Sequence, residues 1–249
     1  VAYAPPEYAV LVNGVSFAVA LALLFRLAPP ATLTNGATAG GRPEGWLSDL
    51  RTGLRHVFVD SEVTRVGITM SVVVNLVLGA YEPILVYRLR SDLAVGAEVV
   101  GMVFGVAGVA SVVLAALLSW RAPARGFMKI MTCSVVLQGA SVVVIALVPS
   151  VIVITLAQVV YVSAVLLYTV YWRALRQTYV PSHLLGRVAG ACRSTAYTGA
   201  FLGSVISAIL LGWSVAVSTT LFVAGGAVMA FGTLMTVHLR NRRKTGSPT

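Results

Sequence analysis

One apolar segment of the chain carries small and polar side chains along a single helical face. They follow the spacing i, i+4, i+8 and i+11, as Ser71, Asn75, Gly79 and Glu82. Glu82 is the only carboxylate well inside an apolar segment, and such a group can alternate between protonated and ionised forms. Glu82 is therefore a candidate for coupling proton movement to a second process. The alternative is an interfacial acid that pairs with an outer loop or with Arg88, about 9 Å further along the helix.

A second apolar segment has a stripe of aromatic and amide side chains. Its members follow i, i+3, i+10 and i+13, as Gln158, Tyr161, Tyr168 and Tyr171. Aromatic rings with a polar tip suit a cavity that binds amphipathic small molecules, and Gln138 in the preceding segment makes a similar case. Helix packing explains Gln158 and Tyr161 equally well, and we assign Tyr171 and Trp172 to an aromatic belt at the membrane interface. The candidate cavity residues are thus Asn75, Glu82, Gln138, Gln158 and Tyr161.

These residues lie in long apolar runs that must be positioned in a bilayer. Apolar residues make up 58% of the chain and charged residues only 10%, whereas soluble domains have about 25% charged residues. A bilayer core about 30 Å thick requires about 20 mostly apolar residues per helix. Seven runs meet this length: 8–25, 66–87, 99–120, 127–148, 151–172, 189–213 and 215–237. The predicted fold class is an all-α polytopic membrane protein with seven transmembrane helices.

Basic residues are concentrated in alternate connections between these runs and at the adjoining ends of the runs. Sixteen of the eighteen Lys and Arg residues fall in four short segments, and only Arg88 and Arg90 lie elsewhere. Short loops rich in Lys and Arg stay in the cytoplasm, which predicts an outside N-terminus and an inside C-terminus. The net charge of +10 then indicates anionic lipid headgroups as partners, and not nucleic acid. The bias towards Arg, Ala, Val and Gly is typical of a GC-rich bacterial genome, so we expect the bacterial cytoplasmic (inner) membrane.

The spacing of the runs divides the chain unequally. We predict a lone span over 1–27, a cytoplasmic linker over 28–64, a six-helix unit over 65–238 and a basic cytoplasmic tail over 239–249. The linker begins with a stretch rich in Pro, Gly and Thr and continues as an amphipathic helix over 46–59. That helix is either a plain connection between two bundles or a regulatory or partner-binding element.

The segment between the fifth and sixth of the seven predicted spans carries the most specific pattern. It reads Leu175-Arg176-Gln177-Thr178-Tyr179-Val180-Pro181-Ser182-His183-Leu184-Leu185-Gly186-Arg187-Val188. This pattern resembles the loop between spans ten and eleven of drug and siderophore exporters in the major facilitator superfamily, including the macrolide-efflux and enterobactin-exporter types. The resemblance implies that the chain covers spans six to twelve, the C-terminal half of a twelve-span transporter.

The loop motif also has a physical interpretation. Pro181 cannot continue a helix and should end the preceding one, and Gly186 should allow a close approach or a positive φ. Arg187 can anchor the next helix to phosphate headgroups or to a neighbouring helix end. Arg176 and Arg187 either set topology only or form a gating ion pair with a partner in another loop or in the missing half. The motif residues singled out are Arg176, Gln177, Pro181, Gly186 and Arg187.

The resemblance implies secondary transport, with export of a drug, antibiotic, siderophore or other hydrophobic or amphipathic molecule by alternating access, coupled to protons. The chain starts with Val1 and not Met, so we expect a truncated protein that needs its N-terminal half or a second copy. No catalytic cluster, cofactor site or metal site is predicted, and we expect no enzyme. The alternatives are a seven-helix receptor and a membrane scaffold that does not transport.

Overall fold

The computed structural model describes residues 6–26, 46–55, 58–59, 62–120, 126–213 and 215–244, where all regular structure is helical. The α-helices, in chain order, are α1 (Pro6–Arg26), α2 (Trp46–Arg55), α3 (Glu62–Tyr87), α4 (Ala97–Trp120), α5 (Phe127–Leu147), α6 (Val151–Tyr179), α7 (Leu185–Gly212) and α8 (Val217–Lys244). A π-helical turn, Arg88–Asp92, continues α3, and a short 3-10 helix, Ser182–Leu184, precedes α7. The predicted all-α class is confirmed within these ranges.

Six of the described helices, α3 to α8, are long and apolar enough to cross a bilayer. The apolar part of α1, Val10–Leu23, is shorter. The described residues therefore support a multi-pass membrane protein, and the count of seven spans stays a prediction. Helices α6 and α8 continue past the predicted span ends, to Tyr179 and Lys244. Arg, Leu, Gln and Lys in these extensions are good helix formers, so helix propensity continues where the hydropathy stops.

The chain separates into two compact units, Val1–Asp49 and Leu50–Thr249, and the site described below belongs to the second. The amphipathic helix predicted over 46–59 is found as α2, which ends at Arg55. The flexible part of the predicted linker, 28–45, lies outside the described residues, as does the end of the tail, 245–249. The described part of that tail belongs to α8.

Helices α3 to α8 run alternately up and down, so their charged termini collect at two ends of the bundle. One end, called the basic end below, holds the start of α3, α5 and α7 and the finish of α4, α6 and α8. The described basic residues of these helices that lie towards it are Arg65, Lys129, Arg173, Arg176, Arg187, Arg193, Arg240, Arg242, Arg243 and Lys244. The opposite end, called the far end, has Arg88 and Arg90 at the close of α3. The charge asymmetry of the sequence is thus an asymmetry between the two ends of one bundle.

The helices of the second unit pack side by side in the order α4, α6, α5, α8, α3, α7, with a few further contacts of α3 with α5 and α6. Exchanging α3, α4 and α5 for α6, α7 and α8 reproduces the same neighbours, although α3 meets α8 over a much smaller contact than α6 meets α5. Because α3 starts at the basic end and α6 at the far end, the two triplets have opposite orientations. The unit is therefore an inverted repeat in its packing order.

Glycines bring the helices of this unit into very close contact. A Cβ on Gly79 or Gly203 would collide with the backbone of the opposite helix, at Ala200 in α7 and at Leu76 in α3. Ser204 Oγ also donates a hydrogen bond to the carbonyl of Gly79, at 2.9 Å. Small residues allow membrane helices to pack backbone to backbone, which here fixes the contact between α3 and α7. Gly139 and Gly225 play the same part between α5 and α8.

Candidate functional site

A cavity of about 450 Å³ lies among α3, α6 and α7, towards the basic end. Three arginines line it, Arg173 and Arg176 from α6 and Arg193 from α7, and we call it the arginine groove. No Asp or Glu is found among its lining residues, all of which lie in the described part of the chain. The groove is therefore a positively charged opening beside apolar helix surfaces.

The extension of α6 places two of these arginines. The helix continues through Arg176 and ends at Tyr179, because Val180 is extended and Pro181 follows it. The prediction that Pro181 terminates a helical extension is confirmed. Arg173 and Arg176 are one helical turn apart on this extension, so both side chains reach the same opening.

The ring of Trp172 packs against the guanidinium of Arg176. The guanidinium of Arg176 lies 5.1 Å from the centre of the Trp172 ring, within the range of a cation–π contact. The ring packs against α3 at Gly67, where a Cβ would overlap it. We predicted that Tyr171 and Trp172 belong to an interfacial belt, and this is wrong: both are buried inside the bundle, Tyr171 beside Phe127. The period of the aromatic stripe could not reveal which face is covered by a neighbouring helix.

Asn75 is the one predicted cavity residue that lines the arginine groove. Its Nδ2 donates to the carbonyl of Ser71 at 2.8 Å, so the side chain lies along α3. Glu82, two turns further along α3, is exposed and does not line the groove. The alternative pairing of Glu82 with Arg88 is wrong, because Arg88 instead bonds to the carbonyl of Ala146, to Ser218 and to Asp92.

Gln158 and Tyr161 lie in the contact between α3 and α6. Gln158 Oε1 accepts a hydrogen bond from the Tyr81 hydroxyl, and the Tyr81 and Tyr161 rings are 4.4 Å apart between centroids. The Tyr161 hydroxyl is buried and has no hydrogen-bond partner among the described residues. Both residues are thus packed inside the unit in this structure, and their role in substrate binding stays a prediction.

Gln138 in α5 is also buried, and its Nε2 has no partner within the described ranges. It does not line the arginine groove. The predicted cavity residues are therefore divided among the groove, the contact of α3 with α6, the interior at α5 and the exposed side of α3. Their shared polarity did not indicate a shared location.

The remaining motif residues surround the turn between α6 and α7. Gln177 lines a smaller cavity of about 240 Å³ together with Arg173 and Arg176. The backbone carbonyl of Arg187 faces Gly53 of α2, where a Cβ would overlap it. The prediction for Gly186 is wrong: it is in the first turn of α7 without a positive φ, and nothing lies within 4 Å of the position of a Cβ.

Sequence reasoning assigned Arg173 and Arg193 to topology alone and did not place them in a site. A signal for Arg193 was present, because it lies inside the predicted span 189–213, four residues before Tyr197. A charged residue in such a segment usually faces a cavity.

Among the described residues, no group of three or more His, Cys, Asp or Glu could hold a metal ion. Comparison of the chain with protein-family models, curated proteins and solved structures finds no match to any of them.

Proposed function

We propose that this chain is the C-terminal half, spans six to twelve, of a secondary transporter of the major facilitator superfamily. It exports a hydrophobic or amphipathic small molecule, such as a drug, an antibiotic or a siderophore, across a bacterial cytoplasmic membrane. The direction of transport comes from the resemblance of the 175–188 segment to exporter loops. The basic end is the cytoplasmic end under the positive-inside rule.

The observation that carries this proposal is the inverted repeat in the packing order of α3 to α8. Major facilitator transporters contain such three-plus-three inverted repeats within each six-helix half, and substrate sites lie at the interfaces between repeats. The arginine groove supports the proposal, because it is lined by α3 and α6, the first helices of the two triplets, and by α7. A scaffold that only holds partners together does not require this symmetry or a polar groove among its helices.

Alternating access needs another six-helix half, which packs opposite the groove. In such transporters two halves rock against each other around a site near the middle of the membrane. The six helices described here supply one half, with the groove as its contribution to the site. Transport by this chain therefore requires an N-terminal half or a second copy.

A dye-transport assay tests the function directly. The longest reading frame that contains this chain is purified and reconstituted in phosphatidylcholine vesicles, with a proton gradient imposed across the membrane. Two amphipathic dyes of opposite charge, Hoechst 33342 and 5(6)-carboxyfluorescein, serve as probes. We expect gradient-driven movement of at least one dye, and movement of neither dye above protein-free vesicles contradicts the proposal.

Glu82 is the candidate coupling group, since it is exposed on α3 without a hydrogen bond or ion pair to another described residue. Its replacement in Glu82→Gln should abolish the dependence of dye transport on the proton gradient. Glu98→Gln is the matched control, because Glu98 is an exposed acid in the first turn of α4. Unchanged proton-driven transport in Glu82→Gln removes Glu82 from this role.

A further inference from the structure

We propose that the arginine groove binds molecules in which an anionic head, a carboxylate or a phosphate, is joined to an apolar body. This inference rests on the proposed function, because it names the substrate class of the groove. Its binding chemistry can nevertheless be measured without transport.

The described lining of the groove carries charge of one sign only. Arg173, Arg176 and Arg193 form no ion pair with a described residue, and no acid lines the cavity. Arg193 lies about 12 Å beyond the start of α7, from the rise of 1.5 Å per residue. Charged side chains at such positions are expensive in hydrocarbon unless a cavity or an opposite charge compensates them. An anionic ligand supplies that opposite charge.

Three of the neutral donors that line the groove are already engaged. The Tyr168 hydroxyl donates to the carbonyl of Gly67 at 3.0 Å, and Thr169 Oγ1 donates to Val165 within its own helix. The Nδ2 of Asn75 likewise donates to Ser71. Arg176, by contrast, has a buried Nε with no hydrogen-bond partner in the described part of the chain. Trp172 and Tyr197 also bring neutral donors to the lining, and the charged donors are the guanidinium groups. Their planar fork matches carboxylate and phosphate oxygens.

Polarity changes along the groove in a way that suits an amphipathic molecule. The arginines of α6 lie in its last two turns, and Val165 lines the groove about 12 Å deeper along the same helix. Val74 and Leu78 of α3 line the apolar part as well. A ligand with its head at the arginines would therefore place an apolar body against these side chains. The aromatic rings of Trp172 and Tyr197 flank the boundary.

A binding experiment on the full chain in nanodiscs of phosphatidylcholine tests this inference. The probe is 1-naphthyl phosphate, and the matched cation is 1-naphthylmethylammonium, both titrated by calorimetry. We expect binding of the anion and none of the cation. Arg176→Gln and Arg193→Gln should each weaken anion binding about tenfold, the loss expected for one charge-assisted hydrogen bond. Arg176→Lys keeps the charge and should weaken binding less. Binding of the anion by this variant also shows that the protein folds with Arg176 replaced.

Arg90→Gln is the control, because Arg90 is an exposed arginine at the far end, and its affinity for the probe should equal that of the unchanged chain. Equal binding of anion and cation, or unchanged anion binding in both Arg→Gln variants, overturns the inference. Anion-selective binding without dye transport contradicts the transporter and leaves this inference standing. Dye transport without anion-selective binding overturns this inference alone.

The same anionic head groups occur in soluble molecules and in lipids. A second set of nanodiscs distinguishes these two kinds of ligand. These contain one part phosphatidylglycerol to three parts phosphatidylcholine. Unchanged affinity for 1-naphthyl phosphate assigns the groove to soluble anions and supports the substrate class. Competitive loss of affinity assigns it to lipid headgroups and overturns the groove's assignment to the transported substrate.

Discussion

Two adjacent buried tyrosines have opposite hydrogen-bonding states. Tyr81 donates to Gln158, whereas the Tyr161 hydroxyl has no partner among the described residues. The two residues are 1% and 2% exposed, so both are almost completely shielded from solvent. A buried polar group that is unpaired destabilises the fold, and a paired one stabilises it. Removal of the two hydroxyls should therefore have different effects.

Tyr81→Phe should lower the free energy of unfolding by about 1–3 kcal/mol, because it also leaves the amide oxygen of Gln158 unpaired. Tyr161→Phe should change it by less than about 0.5 kcal/mol or raise it, because the lost hydroxyl was unpaired. The measurement is unfolding by sodium dodecyl sulfate in mixed micelles, followed by tryptophan fluorescence. A larger loss in Tyr161→Phe contradicts the assignment and favours a ligand for that hydroxyl.

Arg88 is a buried arginine that joins three helices at the far end. It is 4% exposed, donates to the carbonyl of Ala146 in α5 at 3.0 Å and to Ser218 in α8, and lies 3.7 Å from Asp92. Arg88→Met should therefore destabilise the unit by about 1–3 kcal/mol, since the acceptors lose their donor. Arg90→Met, two residues away and exposed, should change stability by less than about 0.5 kcal/mol. Equal losses in the same unfolding assay would show that Arg88 does not hold these helices together.

At the scale of the helices, glycines have two different roles in this chain. Gly199 and Gly203 of α7 face the backbone of α3, whereas Gly101, Gly105 and Gly108 of α4 have nothing within 4 Å of a Cβ position. The sequence shows both sets as repeats of small residues. Only the first set is a contact surface within the second unit.

Substitution by alanine should therefore change the free energy of unfolding in opposite directions in the two sets. Gly203→Ala should cost about 1–3 kcal/mol, because its Cβ would overlap the backbone at Leu76. Gly105→Ala should stabilise the half by up to about 1 kcal/mol in the isolated chain, through its higher helix propensity. Thermal unfolding in detergent measures both. A loss in Gly203→Ala no greater than in Gly105→Ala contradicts the close contact of α3 and α7.

The limits of sequence reasoning are clear from particular helices. Hydropathy predicted the bounds of α4 and α5 closely, because crossing a bilayer fixes the length of an apolar run. It could not predict the faces of these helices, because lipid-facing and helix-facing residues are equally apolar. Trp172 was therefore assigned to the interface and is buried, and Arg193 was assigned to topology and lines a groove. Gly186 was assigned a backbone role that an ordinary helical turn does not need.

For the whole molecule, three features agree with the proposed function. The described spans have an inverted repeat, their basic residues collect at one end, and a charged groove lies between the first helices of the two repeats. Each feature alone occurs in other membrane proteins. Together they predict a groove that opens to the two sides of the membrane in turn.

Accessibility of a cysteine at Tyr197 tests this central claim most directly and needs no known substrate. Tyr197 lines the groove, 64% exposed, near the middle of α7. Tyr197→Cys is made in the longest reading frame that contains the chain, with Cys133→Ser, Cys192→Ala and replacement of any cysteine outside residues 1–249. Gln177→Cys and Ser91→Cys mark the basic end and the far end, because both residues are exposed.

A membrane-impermeant maleimide is applied to one side of the membrane at a time, in right-side-out and inside-out vesicles. The marker cysteines should react from one side each, Gln177→Cys from the cytoplasmic side and Ser91→Cys from the outside. We predict that Tyr197→Cys reacts from both sides, as alternating access requires. Reaction of Tyr197→Cys from one side only, or from neither, would contradict the account.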